Sequence, residues 1–220
     1  MLVAGIDEAG RGCVIGPLVI AGVSLREDRI HVLVSLGVRD SKILSPKKRE
    51  SLALEINREV ESWHIVKIAP KEIDKAVDSG RKLHKLNRLE AKTMTQVIDV
   101  LRPDVAYVDA ADVFEDRFKQ HIQEGLSFKV RIISEHKADK TYPVVSAASI
   151  LAKVERDRAI ADLRCEYGDF GSGYLTDPKT ILFLKSWLKC NRDYPDCVRK
   201  SWKPAKKVRS EIDAVQKKLV

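Results

Sequence analysis

Short apolar runs punctuate this chain, and several of them stop at a carboxylate. Leu2 to Ile6 is almost continuously apolar, which suits a strand buried on both faces. Gly16 to Leu25, rich in Val and Ile after the Gly16-Pro17 break, predicts a second strand, and Trp63 to Ile68, Val105 to Val108 and Phe128 to Ile133 predict three more. Elsewhere the apolar period lengthens to that of a helix. Ser45 reads as an N-cap with Pro46 at the first helical position, and Leu52, Ile56 and Val60 follow at helical spacing. Leu86, Leu89, Met94, Val97 and Leu101 place a helix over Leu83 to Leu101, ended by Pro103. After Pro143 a long helix carries Val144, Ala147, Ala148, Leu151 and Val154 on an apolar stripe, with Ser146, Ser149, Lys153, Arg156 and Asp157 on a face left for solvent or a ligand. Further helices fit Lys179 to Leu188 and Ala205 to Leu219. Early strands followed by strand and helix alternation make the class α/β, a mixed sheet flanked by helices.

Composition narrows the environment. With 33% charged and 44% hydrophobic residues in 220, the chain can bury a full core and is not a disordered polymer. No apolar run approaches the ~18 to 20 residues that span a bilayer, and Met1 leads directly into the first strand without a basic leader, so we expect a cytoplasmic protein with no membrane partner. Cys13, Cys165, Cys190 and Cys197 form no CxxC pair and are expected to be thiols in a reducing compartment. The net charge of +8 points to a polyanionic partner. From Arg199 to Val220 eight Lys or Arg face only Glu211 and Asp213, the one marked shift in composition.

Candidate chemistry sits at the strand ends. Asp7 and Glu8 follow the first apolar run, Asp109 follows the fourth, and Asp139 comes shortly after the fifth. An acid where a loop begins is ordinary on its own. If these strands are neighbours, however, the carboxylates converge at one edge, where their repulsion calls for cations. Hard oxygen ligands without a Cys or His set favour Mg2+ or Mn2+ over zinc. Two such ions suit in-line phosphoryl transfer, and an acid cluster on a basic chain reads as a nuclease. Asp112 falls where a helix would begin and is assigned to capping.

Four segments carry a resemblance: GIDEAGRG (Gly5 to Gly12), DSKILS (Asp40 to Ser45), HKADKTYPVVSAASILAKVERD (His136 to Asp157) and GSGYLTDPKT (Gly171 to Thr180). In that order they resemble the motifs of type 2 ribonucleases H, and the compact chain with its helical tail is similar to archaeal-type members. The resemblance implies a ribonuclease H-like fold, with a five-stranded mixed sheet flanked by helices over residues 1–190 and a basic helical extension over residues 191–220. It implies an endonuclease that cuts the RNA strand of RNA/DNA hybrids and at ribonucleotides embedded in DNA, leaving 5′-phosphate and 3′-hydroxyl ends, in primer removal and ribonucleotide excision. It carries the metal-binding and catalytic role onto Asp7, Glu8, Asp109 and Asp139. Gly10, Arg11 and Gly12 match the element that senses the ribose, where glycines allow close backbone approach to a 2′-OH. Tyr174 matches the tyrosine at the ribonucleotide junction. Lys42, Ser146, Ser149 and Lys153 are candidate substrate contacts, and Lys200, Trp202, Lys203, Lys206 and Lys207 form a basic and aromatic cluster.

A monomer is expected. The ending Gln216-Lys217-Lys218-Leu219-Val220 has no paired aromatics, so binding to a sliding clamp is unsupported. Rival readings are another metal-dependent nuclease or resolvase of the same fold, and a non-catalytic nucleic-acid-binding module, which leaves the four acids unexplained. The glycines after the first strand miss the GxGxxG spacing and run into another strand, which excludes a dinucleotide site.

Overall fold

The computed structural model describes residues 1–38, 44–79 and 85–216. Along the chain lie β1 (Leu2–Ala9), β2 (Leu18–Arg26), a short 3-10 turn, α1 (Ile30–Leu36), α2 (Pro46–Glu59), β3 (Ser62–Ile68), α3 (Pro70–Asp78), α4 (Lys85–Leu101), β4 (Val105–Asp109), α5 (Glu115–Gln123), β5 (Arg131–Glu135), α6 (Ala138–Thr141), α7 (Pro143–Tyr167), α8 (Pro178–Cys190) and α9 (Lys203–Gln216). The five strands form one mixed sheet in the order β3-β2-β1-β4-β5. β1 runs antiparallel to β2 and parallel to β4, and β4 runs parallel to β5. The expected fold class is the observed one.

Residues divide into two compact units, one of Met1–Ala9, Val19–Lys67 and Leu83–Glu155, the other of Gly10–Leu18, Ile68–Lys82 and Arg156–Val220. The boundary expected at residue 190 falls inside the second unit. The first unit's core joins Val3, Val19, Val23 and Leu25 of the sheet to Leu52 and Ile56 of α2 and to Val144, Ala147, Ala148 and Leu151 of α7. The second has its own core of Val14, Ile15, Ile160, Phe170, Leu184, Val198, Ala205 and Val208. Among the described residues, no helix is long and apolar enough to cross a membrane. The described cysteines are free thiols, Cys13 and Cys197 buried.

The start of β5 differs for a physical reason. β5 begins at Arg131, not Phe128, because its parallel partner sets the window: Arg131 N donates to Asp104 O at 3.1 Å and the ladder pairs Val105 with Arg131 through Asp109 with Glu135. The cap at Ser45 is as expected, its hydroxyl accepting from Lys48 N at 3.3 Å, whereas α4 is described only from Lys85 and α9 only to Gln216. Lys42, with the rest of its Asp40-Ser41-Lys42 motif, lies outside the described residues.

Candidate active site

β1 approaches the first turn of α7 backbone to backbone. A Cβ added at Gly5 would lie 2.2 Å from the carbonyl carbon of Val144, so only glycine fits. That contact sets the strand bearing Asp7 and Glu8 against the helix bearing Ser146, Ser149 and Lys153. The parallel ladder with β4 pairs Ile6 with Val108, and one residue further along both strands come Asp7 and Asp109, on the same face by strand alternation.

Asp7 is 4% exposed, and its carboxyl is raised to about 7, first by burial and then by the negative charge of Asp109. A hydrogen bond with Ser149 and the charge of Lys153 oppose that rise, and Lys153 Nζ donates to Ser149 Oγ at 2.5 Å. Asp109 Oδ1 accepts from Ala138 N at 3.0 Å. Just before Ala138, Lys137 takes a left-handed backbone (φ 58) that starts α6, where Asp139 is buried. The Ser146 hydroxyl donates to the Asp139 carbonyl. Glu8 is half-buried, with Oε2 shielded from solvent. The face of α7 left for solvent or a ligand is therefore filled at Ser146 and Ser149, which are 3% and 0% exposed and bond the Asp139 carbonyl and the Asp7 carboxyl.

Among the described residues, no set of three or more Asp, Glu, His and Cys side chains stands as a ready-made metal shell. The pair that does meet, Asp7 with Asp109, nevertheless fits a hard cation, since a buried carboxylate raised by a like charge is what a divalent ion would relieve. Glu135, opposite Asp109 in the ladder, instead accepts from the Tyr142 hydroxyl at 3.0 Å. Asp112 does not cap the helix as expected: Phe114 takes the N-cap of α5, and the Asp112 carboxylate instead accepts from Phe114 N at 3.1 Å and pairs with Arg117. The His136 ring nitrogens lie 3.2 and 3.3 Å from the Ala110 and Val113 carbonyls.

The second unit brings the glycine loop and Tyr174 together. Gly10 has φ 85, and a Cβ there would meet the Pro17 carbonyl at 2.8 Å; a Cβ on Gly12 would lie 3.7 Å from the Tyr174 ring. Burial, then the adjoining Cys13 thiol, pushes the Tyr174 hydroxyl up to about 12. Two residues that sequence reasoning gave to solvent or phosphate are structural here. Arg156 is 9% exposed, stacks 4.9 Å above the Tyr174 ring, donates to Cys13 Sγ at 3.0 Å and also bonds the Ser172 carbonyl. Arg199, counted at first with the basic tail, is fully buried. Its guanidinium donates to the carbonyls of Gly10, Arg11 and Gly16 at 2.7, 2.9 and 3.1 Å. A buried and a solvated arginine look alike in sequence; the only available signal was Trp202, whose ring lies 5.0 Å from the Arg199 guanidinium.

The five-stranded mixed sheet with acids at the ends of its central parallel strands defines a ribonuclease H-like nuclease. A family model described as Ribonuclease HII matches residues 4–205. Ribonuclease HII of Methanosarcina barkeri is 46% identical over 96% of this chain and 97% of its own length. The crystal structure of ribonuclease H2 from Pyrococcus horikoshii superposes with a TM-score of 0.89 at 44% identity, covering 97% of this chain and 99% of that one. A structure of the PCNA:RNase HII complex from Archaeoglobus fulgidus gives 0.83 at 45% identity, covering 94% and 96%. The chain belongs to the ribonuclease HII family and is an endoribonuclease.

Proposed function

We propose that Asp7, Glu8, Asp109 and Asp139 hold divalent cations, Mg2+ or Mn2+, with which this chain hydrolyses the RNA strand of RNA/DNA hybrids and cuts at ribonucleotides embedded in duplex DNA. The observation that supports this reading most directly is the burial of Asp7 against Asp109, which leaves a carboxyl raised to about 7 at the edge of the sheet. Such a pair is costly in a protein that holds no cation and useful in one that does. Bound there, a pair of cations would supply the charge that activates a water and stabilises the leaving oxygen in an in-line displacement. The chain's own residues set the geometry: Ser149 and Lys153 orient Asp7, and the Ala138 amide fixes Asp109. The Gly10-Arg11-Gly12 loop and Tyr174 read the ribose, with the exposed Gly12 allowing close approach of the sugar. A non-catalytic binding module would have no reason to bury one acid within reach of another's charge. Cutting of a labelled DNA duplex holding one ribonucleotide, dependent on added magnesium and abolished by chelation, is the expected result; binding without cutting would overturn it.

A relative solved with PCNA makes the sliding clamp a second partner to test, against the expectation that residues 216–220 do not support clamp binding. Titration of the chain with PCNA checks it: heat exchange fitting a Kd tighter than roughly 1 μM, about −8 kcal/mol, would refute that expectation.

A further inference from the structure

Arg199 is fully buried, and its side chain has no surface through which to meet a phosphate. Its guanidinium bonds three backbone carbonyls of the glycine loop, and they fall on both flanks: Gly10 and Arg11 on one side, Gly16 on the other. The segment carrying Arg199 is stitched to the same loop by its own backbone. Arg199 N donates to Val14 O at 2.8 Å, Gly16 N donates to Cys197 O at 2.8 Å, and Ile15 bridges Val198. From the opposite side Gly173 O accepts from Val14 N and Ile15 N at 2.8 and 3.2 Å, beside Tyr174. A trans peptide is planar, with its carbonyl and the following N–H pointing in opposite directions. Fixing the carbonyls of Gly10 and Arg11 toward a buried guanidinium therefore aims the N–H groups of Arg11 and Gly12 the other way.

We infer that Arg199 is a positioning residue for substrate discrimination: its planar fork orients two successive peptide planes so that the amides of Arg11 and Gly12 face the ribose 2′-OH. This rests on the reading of Gly10-Arg11-Gly12 as the ribose-sensing loop. The geometry needs a guanidinium, because a rigid fork can serve three carbonyls in fixed directions whereas an ammonium is a point charge on a flexible stem. It also separates Arg199 from the lysines of the tail, whose contribution would be charge.

The test compares Arg199→Lys, Arg199→Gln and Gly10→Ala with the wild type on a duplex holding one ribonucleotide. Activity is measured per folded protein and well below each variant's melting temperature, with kcat, KM and the salt dependence of binding read separately. Arg199→Lys keeps the charge and should keep the fold, yet its kcat should fall roughly ten- to hundredfold, as misplacing a reacting group by an ångström does, with KM and salt slope near the wild type. Amide exchange in Arg199→Lys should quicken over residues 10–16 and not in β1 or β4. Wild-type kcat in Arg199→Lys overturns the inference. So does a loss carried by KM in Arg199→Lys together with a salt slope shallower by about one in the charge-removing Arg199→Gln, the mark of a phosphate contact. If Arg199→Gln fails to fold, Arg199→Lys still decides. Gly10→Ala separates this inference from the reading beneath it: unchanged cutting by that strained loop variant means the loop does not sense ribose, whereas its loss beside an intact Arg199→Lys removes Arg199 alone.

Discussion

Asp7 is buried within reach of the charge of Asp109, so each costs the other stability, a cost that a bound cation would relieve. Asp109→Asn keeps an oxygen to accept from Ala138 N while removing a charge, so it should abolish magnesium-dependent cutting and leave hybrid binding largely intact. Without metal its melting temperature should rise by about 2 to 4 °C, the shift that ~1 kcal/mol produces in a chain of this size. Wild-type cutting, or a metal-free melting temperature below that of the wild type, would sink the assignment. Tyr174 offers a second comparison, since its ring lies under Arg156 and beside Gly12 while its hydroxyl adjoins Cys13. Tyr174→Ala should lose most cutting at a lone ribonucleotide. Tyr174→Phe keeps the stacked ring and forfeits one hydrogen bond of ~0.5–1.5 kcal/mol, hence roughly two- to tenfold. A stable Tyr174→Ala that cuts like wild type would leave discrimination to the glycine loop. Asp7 and Asp109 were legible in the sequence as strand-end acids because each follows an apolar run. Arg156 was not, since a helix face rich in Ser, Lys and Arg reads the same whether it meets water or a buried ring.

Among the elements, those with strong local signals were legible: β1, β3 and β4 as apolar runs, α2 by its Ser45-Pro46 start, α7 by its apolar stripe. Those that were missed are fixed by contacts distant in sequence or contradict their own propensity. Ile30-His31-Val32-Leu33-Val34 is β-branched enough to pass for a strand, yet it is helical in α1 and ends at the left-handed Gly37. α5 has no side-chain cap of its own; the turn before it is held by Asp112, which is 1% exposed, and by Arg117, whose guanidinium also lies 4.7 Å over the Phe114 ring. Arg117 beside it holds the Asp112 carboxyl far below the usual carboxylate range. A depressed folded-state pKa contributes stability that is fully present above the unfolded value of about 3.9 and is lost as pH falls toward the folded one. Asp112→Ala should therefore cost about 2 kcal/mol at pH 7, and the gap from wild type should narrow as acid is added below about pH 4. Thermal melts at a series of pH values check this. A gap that stays constant down to pH 2 would mean that Asp112 acts through packing rather than charge.

At the scale of the whole chain the basic surplus looked like one tail from Arg199 onward, and the structure splits it by role. Arg199 is core, and Ser201, Ala205, Val208 and Ile212 are buried with it, so cutting the chain at residue 199 would remove packing together with charge and answer nothing about nucleic acid. Several cations also face acids of the same unit: Lys200 and Arg209 pair with Asp193, and Lys206 lies 3.3 Å from Asp78. Lys203 and Lys207 are exposed on α9, and substituting them changes charge without touching the core. If α9 lies along the phosphate backbone, each lysine releases about 0.9 counterion on binding, so Lys203→Gln with Lys207→Gln should make the slope of log affinity against log salt shallower by roughly 1.8. Affinity for hybrid and for plain DNA duplex should fall together, because phosphate contacts carry no sequence or sugar information. The melting temperature should stay within the small range of surface substitutions, about ±0.5 kcal/mol. Fluorescence anisotropy of a labelled hybrid between 50 and 200 mM salt, roughly the range over which such slopes are resolved, gives the answer. An unchanged slope would take α9 off the nucleic acid and leave it the work of covering Val14, Ile15 and Phe170 in the core of its own unit.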